Sequence, residues 1–302
     1  MSITDWGNQE VVENIKNVHS LYVSTGQISK FIKLFEVIKD IILDDINIKF
    51  TEDKISILKE NFNGKSMVYL HLETSFFEFY HLTGDMTIGI NSINFYKIIK
   101  SAKKQENTIA LCIKKNRPTE LIIRIENSEK SHISEDTLNT LDLVEDDFKM
   151  PDEIEYPGSI IMPSSDFQKN IKNIKSKAIR GLDRVVDIQH TGHQLVFKYH
   201  DKQKITLGKA KILKEGKTIY NQLDLKNPES VKKLEYEYVK EEDNEDIIQG
   251  TYDLDYLSIF CKASTLNSIM LIRIQNDLPL IFEFKVGVLG RFYLLLNPIT
   301  EE

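Results

Sequence analysis

The chain of 302 residues has only two cysteines, Cys112 and Cys261, far apart and each set in an apolar segment. That usage excludes a disulfide framework and fits two buried thiols in a reducing, intracellular compartment. No apolar run reaches the roughly 18 residues a membrane helix needs. The N-terminal stretch MSITDWGNQEVVENIKN lacks a signal-peptide pattern. Catalytic signatures are missing too: there is no Gly-x-x-x-x-Gly-Lys-Ser/Thr loop, no Gly-x-Gly-x-x-Gly opening a helix and no Gly-x-Ser-x-Gly. His190 and His193 flank a predicted hairpin turn and read as solvent-exposed turn residues rather than metal ligands. The acidic run Glu145 to Asp147 lacks the dispersed pairing of two-metal chemistry. The sequence offers no catalytic residue, no metal site and no cofactor, and a non-enzymatic role is expected.

Charge is present in quantity but unevenly. The chain is acidic, with 39 Lys+Arg against 46 Asp+Glu. Yet SSDFQKNIKNIKSKAIRGLDRV, Ser164 to Val185, gathers Lys169, Lys172, Lys175, Lys177, Arg180 and Arg184. Phe167, Ile171, Ile174 and Ala178 form one stripe at helical spacing. Ser164, Ser165 or Asp166 can cap its start, and Gly181 can end it. The rest of the circumference is cationic, with Asp166 and Asp183 only near the ends. A surface helix usually mixes signs to gain i,i+4 pairs, so this segment is either a solvated lysine face or a face turned toward a polyanion. Other predicted helices lean the same way. NFYKIIKSAKK carries Lys97, Lys100, Lys103 and Lys104 without an acid, and Gln27 to Ile42 adds Lys30, Lys33 and Lys39, diluted by Glu36 and Asp40. The fourth helix has Lys262 against Asp255. Acids concentrate in loops and tail, which suits one surface facing a polyanion.

The apolar pattern repeats. INFYKIIKSAKKQENTIALCI and LDYLSIFCKASTLNSIMLIRI align at an offset of 161 residues, pairing Phe95 with Tyr256, Ile98 with Ile259, Ile99 with Phe260, Ala102 with Ala263, Ile109 with Met270 and Leu111 with Ile272. An earlier helix pair aligns at 136: Phe31 with Phe167, Phe35 with Ile171, Ile38 with Ile174 and Ile42 with Ala178. Strand–turn–strand patterns follow each, INIKFTEDKISIL and VVDIQHTGHQLVFKY. The chain is thus a duplicated domain of α+β class, each half carrying two helices and several strands. The expected organisation is an N-terminal extension (1–18), a first domain (19–140) ending in a strand near Thr137 to Leu143, a connecting loop (141–158), and a second domain (159–302) with an insertion at about 199–250.

This arrangement resembles the proliferating cell nuclear antigen family, the eukaryotic-type DNA sliding clamps. The resemblance covers roughly residues 20 to 300. It is strongest in YDLDYLSIFCKASTLNSIMLIRIQNDLPLIFEFKVGVLGRFYLLLNP, and is carried also by FIKLFEVIKDII, GINSINFYKIIKSA and FKMPDEIEYPGSIIMPSSDF. It implies a ring of three identical subunits, joined head to tail, with sheets outside and helices lining a hole for double-stranded DNA. Contacts to phosphates carry no sequence information, so such a ring slides. The resemblance also implies DNA polymerase and other partners bound through short peptides, a clamp loader, no membrane, and a nuclear site in a eukaryotic cell or a host nuclear or cytoplasmic replication site for a virus.

Carried over position by position, the DNA-facing residues are Lys30, Lys33, Lys39, Lys97, Lys100, Lys103, Lys104, Lys169, Lys172, Lys175, Lys177, Arg180 and Lys262. Subunits would join by edge strands at Asn107 to Lys115 (Thr108, Ala110, Cys112, Lys114) and Arg184 to His190 (Val185, Asp187, Gln189). The partner-peptide pocket would comprise Met67, Phe148, Met150, Pro151, Tyr156, Pro279, Leu295 and Pro298. Departures are the passage ENFNGKSMV before the pocket, which lacks the family's methionine and histidine, Leu295 in place of an aromatic, and HTGHQ, which lacks the family's modified lysine. A subunit of a heterotrimeric checkpoint-type clamp, a monomeric viral processivity factor, a nucleic-acid-modifying enzyme and a purely structural interaction protein are the other readings.

Overall fold

A computed structural model of the chain describes residues 8–60, 63–102, 107–127, 132–144, 156, 159–177, 184–191, 194–199, 203–207, 211–213 and 248–299. Its contacts divide the chain into two units, one from 1–59, 68–148 and 285–292, the other from 60–67, 149–284 and 293–302.

The first unit opens with α1 (Gln9–Val18), whose cap Asn8 accepts the Glu10 N–H at 3.0 Å. There follow β1 (His19–Thr25), α2 (Ile28–Ile41), β2 (Asp45–Phe50), β3 (Lys54–Glu60), β4 (Ser66–Glu73), β5 (Phe79–Leu82), β6 (Met86–Asn91), α3 (Ser92–Ile99), β7 (Asn107–Lys114), β8 (Arg117–Asn127) and β9 (His132–Asn139). One sheet runs β5-β1-β7-β8-β9, and β4-β3-β2-β6 are neighbours in another. Helix α2 packs on α3 through Phe31, Phe35 and Phe95, with ring centroids 4.7 Å apart for Phe35 and Phe95. The middle strands β1 and β7, and β8 from Leu121 onward, are buried at almost every described position rather than alternately. A strand buried that way is covered on both faces. Tyr22, Cys112 and Ile122 form one cross-strand row, against which Ile15 of α1 packs. Leu21, Val23, Leu111, Ile113 and Ile123 take the opposite face. The last strand spans 132–139, earlier than expected; beyond it Leu141 makes an isolated bridge to Gly89. A Cβ on Gly89 would stand 2.4 Å from the Leu141 oxygen, so only glycine admits that approach.

The second unit holds β10 (Ser159–Pro163), α4 (Ser164–Lys177), β11 (Val185–Thr191), β12 (Gln194–Tyr199), β13 (Gln203–Leu207), β14 (Lys211–Leu213), β15 (Ile248–Asp253), α5 (Leu254–Phe260), β16 (Ile269–Arg273), β17 (Leu280–Val286) and β18 (Gly290–Leu296). Its sheet orders are β14-β10-β16-β17-β18 and β13-β12-β11-β15. Reading β10 for β1, β11 for β2 and so on to β18 for β9 reproduces the first unit strand for strand. The fold is a duplication.

The offset of 136 holds to the residue. Helices α2 and α4 share both ends, and Phe31, Phe35, Ile38, Phe167, Ile171 and Ile174 are all buried; Ala178 and Gly181 lie outside the described residues. The second offset shifts by one at the helix, since α3 starts at Ser92 and α5 at Leu254. Buried Phe95 therefore answers to buried Leu257, while Tyr256 is half-exposed. Strands β13 and β14 fall inside the stretch expected as an insertion. They belong to the repeat, in the places of β4 and β5; 214–247 lie outside the described residues.

Two local findings concern titratable groups. His190 is not a solvent-exposed turn residue: it sits on β11 between Leu195 and Ile248 and is only 6% exposed. Burial pushes its pKa below the ordinary value. His193 lies outside the described residues. Cys112 and Cys261 are both free and buried, and burial pushes each thiol up to about 12. Among the described residues no helix is long and apolar enough to cross a membrane.

Candidate functional site

The cationic positions follow from which helix faces the cores claim. Helix α2 buries Phe31, Leu34, Phe35 and Ile38, leaving Lys33 exposed and Lys30 and Lys39 half-buried. On α3 the cap Asn91 accepts the Asn94 N–H at 3.0 Å, and Phe95, Tyr96 and Ile99 turn inward. Lys97 and Lys100 stay exposed. Tyr96 organises this cluster. Its ring lies 4.9 Å from Lys39 Nζ and 6.0 Å from Lys100 Nζ, and its hydroxyl donates to Glu36 Oε1 at 2.9 Å. Burial, then the Glu36 hydrogen bond, pushes the phenol up to about 12, so it remains a neutral donor under two cations. Lys39 also pairs with Asp40.

In the second unit α4 buries Phe167, Asn170, Ile171 and Ile174 and exposes Lys169, Lys172, Lys175 and Lys177. Phe167 and Phe260 both pack on Phe282, at 5.0 and 5.8 Å. Gln168 Nε2 donates to the Cys261 oxygen at 3.3 Å, joining α4 to the turn after α5, where Lys262 is exposed. Asp255 of α5 faces Lys175 and Arg184 at 3.6 and 3.1 Å. Arg184, outside the expected DNA-facing set, joins this cluster. Lys103, Lys104 and Arg180 lie outside the described residues. Each unit thus presents exposed lysines on packed helices, a surface able to meet phosphates without reading bases.

The expected peptide pocket is placed in part. Tyr156 donates its hydroxyl to the Pro279 oxygen at 2.8 Å, which brings these two together. Met67, Pro279 and Pro298 are half-exposed. Leu295 is buried on β18 and can only support such a surface from beneath. Past Pro298 the Ile299 N–H donates to the Thr251 oxygen at 2.8 Å, which ties that end to β15. Phe148, Met150 and Pro151 lie outside the described residues.

The expected joining strands need correction. Strand β7, with Thr108, Ala110, Cys112 and Lys114, is no edge: it pairs with β1 on one side and β8 on the other. Strand β11, with Val185, Asp187 and Gln189, lies likewise between β12 and β15. Their backbone groups are already used within the sheets, so neither can add a strand from another chain. Among the described residues the first unit's five-stranded sheet ends at β5 and β9, and the second unit's four-stranded sheet ends at β13 and β15. Strand β9, HISEDTLN, exposes side chains on both faces, with Ile133, Glu135 and Asp136 all open. That polar, two-sided exposure was the available signal for an edge.

A duplicated α+β chain whose sheets carry paired lysine-bearing helices defines a class of two-domain, clamp-like proteins. Comparison with known families narrows it. The model for the proliferating cell nuclear antigen N-terminal domain matches residues 21–148, and that for its C-terminal domain matches 149–299. The chain belongs to the proliferating cell nuclear antigen family. It is 25% identical over 280 residues to "Probable DNA polymerase sliding clamp 1" of Paramecium bursaria Chlorella virus 1, covering 92% of this chain and 96% of that one. It is 24% identical to "Proliferating cell nuclear antigen" of Chaetomium thermophilum, covering 87% and 92%, and 24% to that of Caenorhabditis elegans, covering 87% and 91%. Helix α1 lies before the first matched residue.

Proposed function

We propose that the protein is a DNA sliding clamp that encircles duplex DNA and tethers a DNA polymerase and other replication proteins. The observation that carries this reading is the exposed lysine face on packed helices in each repeat of a chain whose family is that of the clamps. Lys30, Lys33, Lys39, Lys97, Lys100, Lys169, Lys172, Lys175, Lys177 and Lys262 meet phosphates loosely, and the strength of those contacts falls steeply with salt. Subunits join head to tail, the β9 edge of one copy pairing with the β13 edge of the next, and three copies close the ring. Tyr156, Pro279, Met67 and Pro298 supply part of the surface for partner peptides, and a clamp loader opens the ring.

Two measurements test this. Light scattering at low micromolar concentration gives a mass near three times the 35.0 kDa chain; a stable single-chain mass rejects the homotrimer and favours a heteromeric or single-subunit clamp. Reversing Lys169 and Lys172 to Glu weakens binding to a 30-bp duplex on the order of tenfold at moderate salt. Unchanged binding rejects the duplex-facing assignment.

A further inference from the structure

Helix α4 carries four exposed lysines, and one of them is opposed by a single carboxylate. Asp255, second residue of α5, places Oδ1 3.6 Å from Lys175 Nζ and Oδ2 3.1 Å from Arg184 Nη1. One side chain therefore bridges two cations from two elements, the last turn of α4 and the residue before β11. The backbone holds this bridge in place, since the Leu254 N–H donates to the Arg184 oxygen at 2.8 Å. Asp255 is not the cap of its own helix. That role falls to Asp253, whose Oδ1 accepts the Asp255 N–H at 2.8 Å and leaves the Asp255 carboxylate to the cations. All three bridging side chains are close to half-exposed, so solvent screens the pairs and their contribution to folding is small. A bridge that adds little to stability still changes what an approaching phosphate meets.

We propose that Asp255 is a positioning residue that loosens the second unit's grip on DNA, holding Lys175 and Arg184 in a local ion pair that phosphates must displace. This rests on the reading that α4 faces the duplex. A cation already neutralised contributes less to phosphate binding and to counterion release. The acid thereby keeps contact weak enough for the protein to move along the helix axis.

The test measures binding of the full-length chain to a fluorescent 30-bp duplex across a salt series, for wild type, Asp255→Asn, Lys172→Glu, Lys175→Gln/Arg184→Gln, and the triple variant joining that pair to Asp255→Asn. Thermal melting of each confirms the fold. Asp255→Asn should bind about three- to tenfold tighter at moderate salt, with a log–log salt slope steeper by about one to two, since each phosphate contact adds about 0.9. The gain should vanish in the Lys175→Gln/Arg184→Gln background. A purely structural role would move the melting temperature and leave the salt slope alone. If Lys172→Glu weakens binding while Asp255→Asn changes nothing, the role of Asp255 is overturned and the duplex-facing reading stands. If neither variant alters binding, that reading falls and takes the inference with it. A gain that persists without Lys175 and Arg184 overturns positioning in favour of direct repulsion of phosphate.

Discussion

The two units share one strand order, yet they finish the far side of their sheets differently. In the first, a row of Tyr22, Cys112 and Ile122 is apolar and lies under α1. In the second, the position matching Cys112 at the 161-residue offset is Arg273, whose guanidinium donates to Glu283 on the neighbouring strand at 2.7 Å. Glu283 is only 1% exposed and Arg273 a third exposed, so a charge-assisted pair stands where the first unit has Cys112. On the helix-covered side the two agree: an aromatic trio of Phe31, Phe35 and Phe95 against one of Phe167, Phe260 and Phe282. The topology depends on the helix side, where apolar periodicity is common to both copies. The outer side is free to vary.

Phe95→Ala and Phe282→Ala each empty a fully buried site and should cost about 3–5 kcal/mol in urea unfolding. Near-equal losses support equivalent cores, whereas a twofold disparity ends the equivalence. A chain lacking residues 1–18 should lose about 2 kcal/mol and expose Cys112 to a thiol reagent in the native state, while Cys261 stays protected. Equal reactivity of the two thiols would show that α1 is not the cover. The smallest effect concerns acid. Burial lowers the His190 pKa below its ordinary 6.5, so the unfolded chain takes up that proton more readily. The resulting stability is whole above about pH 6.5 and is lost as pH falls through the folded value. His190→Leu should flatten the stability profile between pH 7 and 5 more than His81→Gln, because His81 is only partly buried. Equal slopes for both variants would contradict this.

Much of this architecture was legible in the sequence, for a physical reason. A helix packed on a sheet must repeat its apolar residues at 3.6, and Phe31-Phe35-Ile38 against Phe167-Ile171-Ile174 carried that signature intact through duplication. Lysines left off those stripes could be assigned to solvent directly. Strand order was less accessible. Strand β7 reads as a short apolar run whether central or at an edge, because pairing is decided by β1 and β8, residues far away in the chain. The same holds for His190: a nearby turn suggests exposure, but β15, which packs beside it, begins at Ile248. The bridge at Asp255 has no signature in the sequence either, since no local pattern sets an aspartate on one helix against cations from two other elements.

Among the described residues the end strands β9 and β13 differ in sequence as well as in place: HISEDTLN carries two acids, and QKITL carries a lysine. No twofold axis can pass through a junction of these unlike edges, so every junction has a β9 side and a β13 side. An assembly built this way is stamped with a front and a back. Any enzyme that docks on one of those sides inherits a direction along the duplex without contacting a single base.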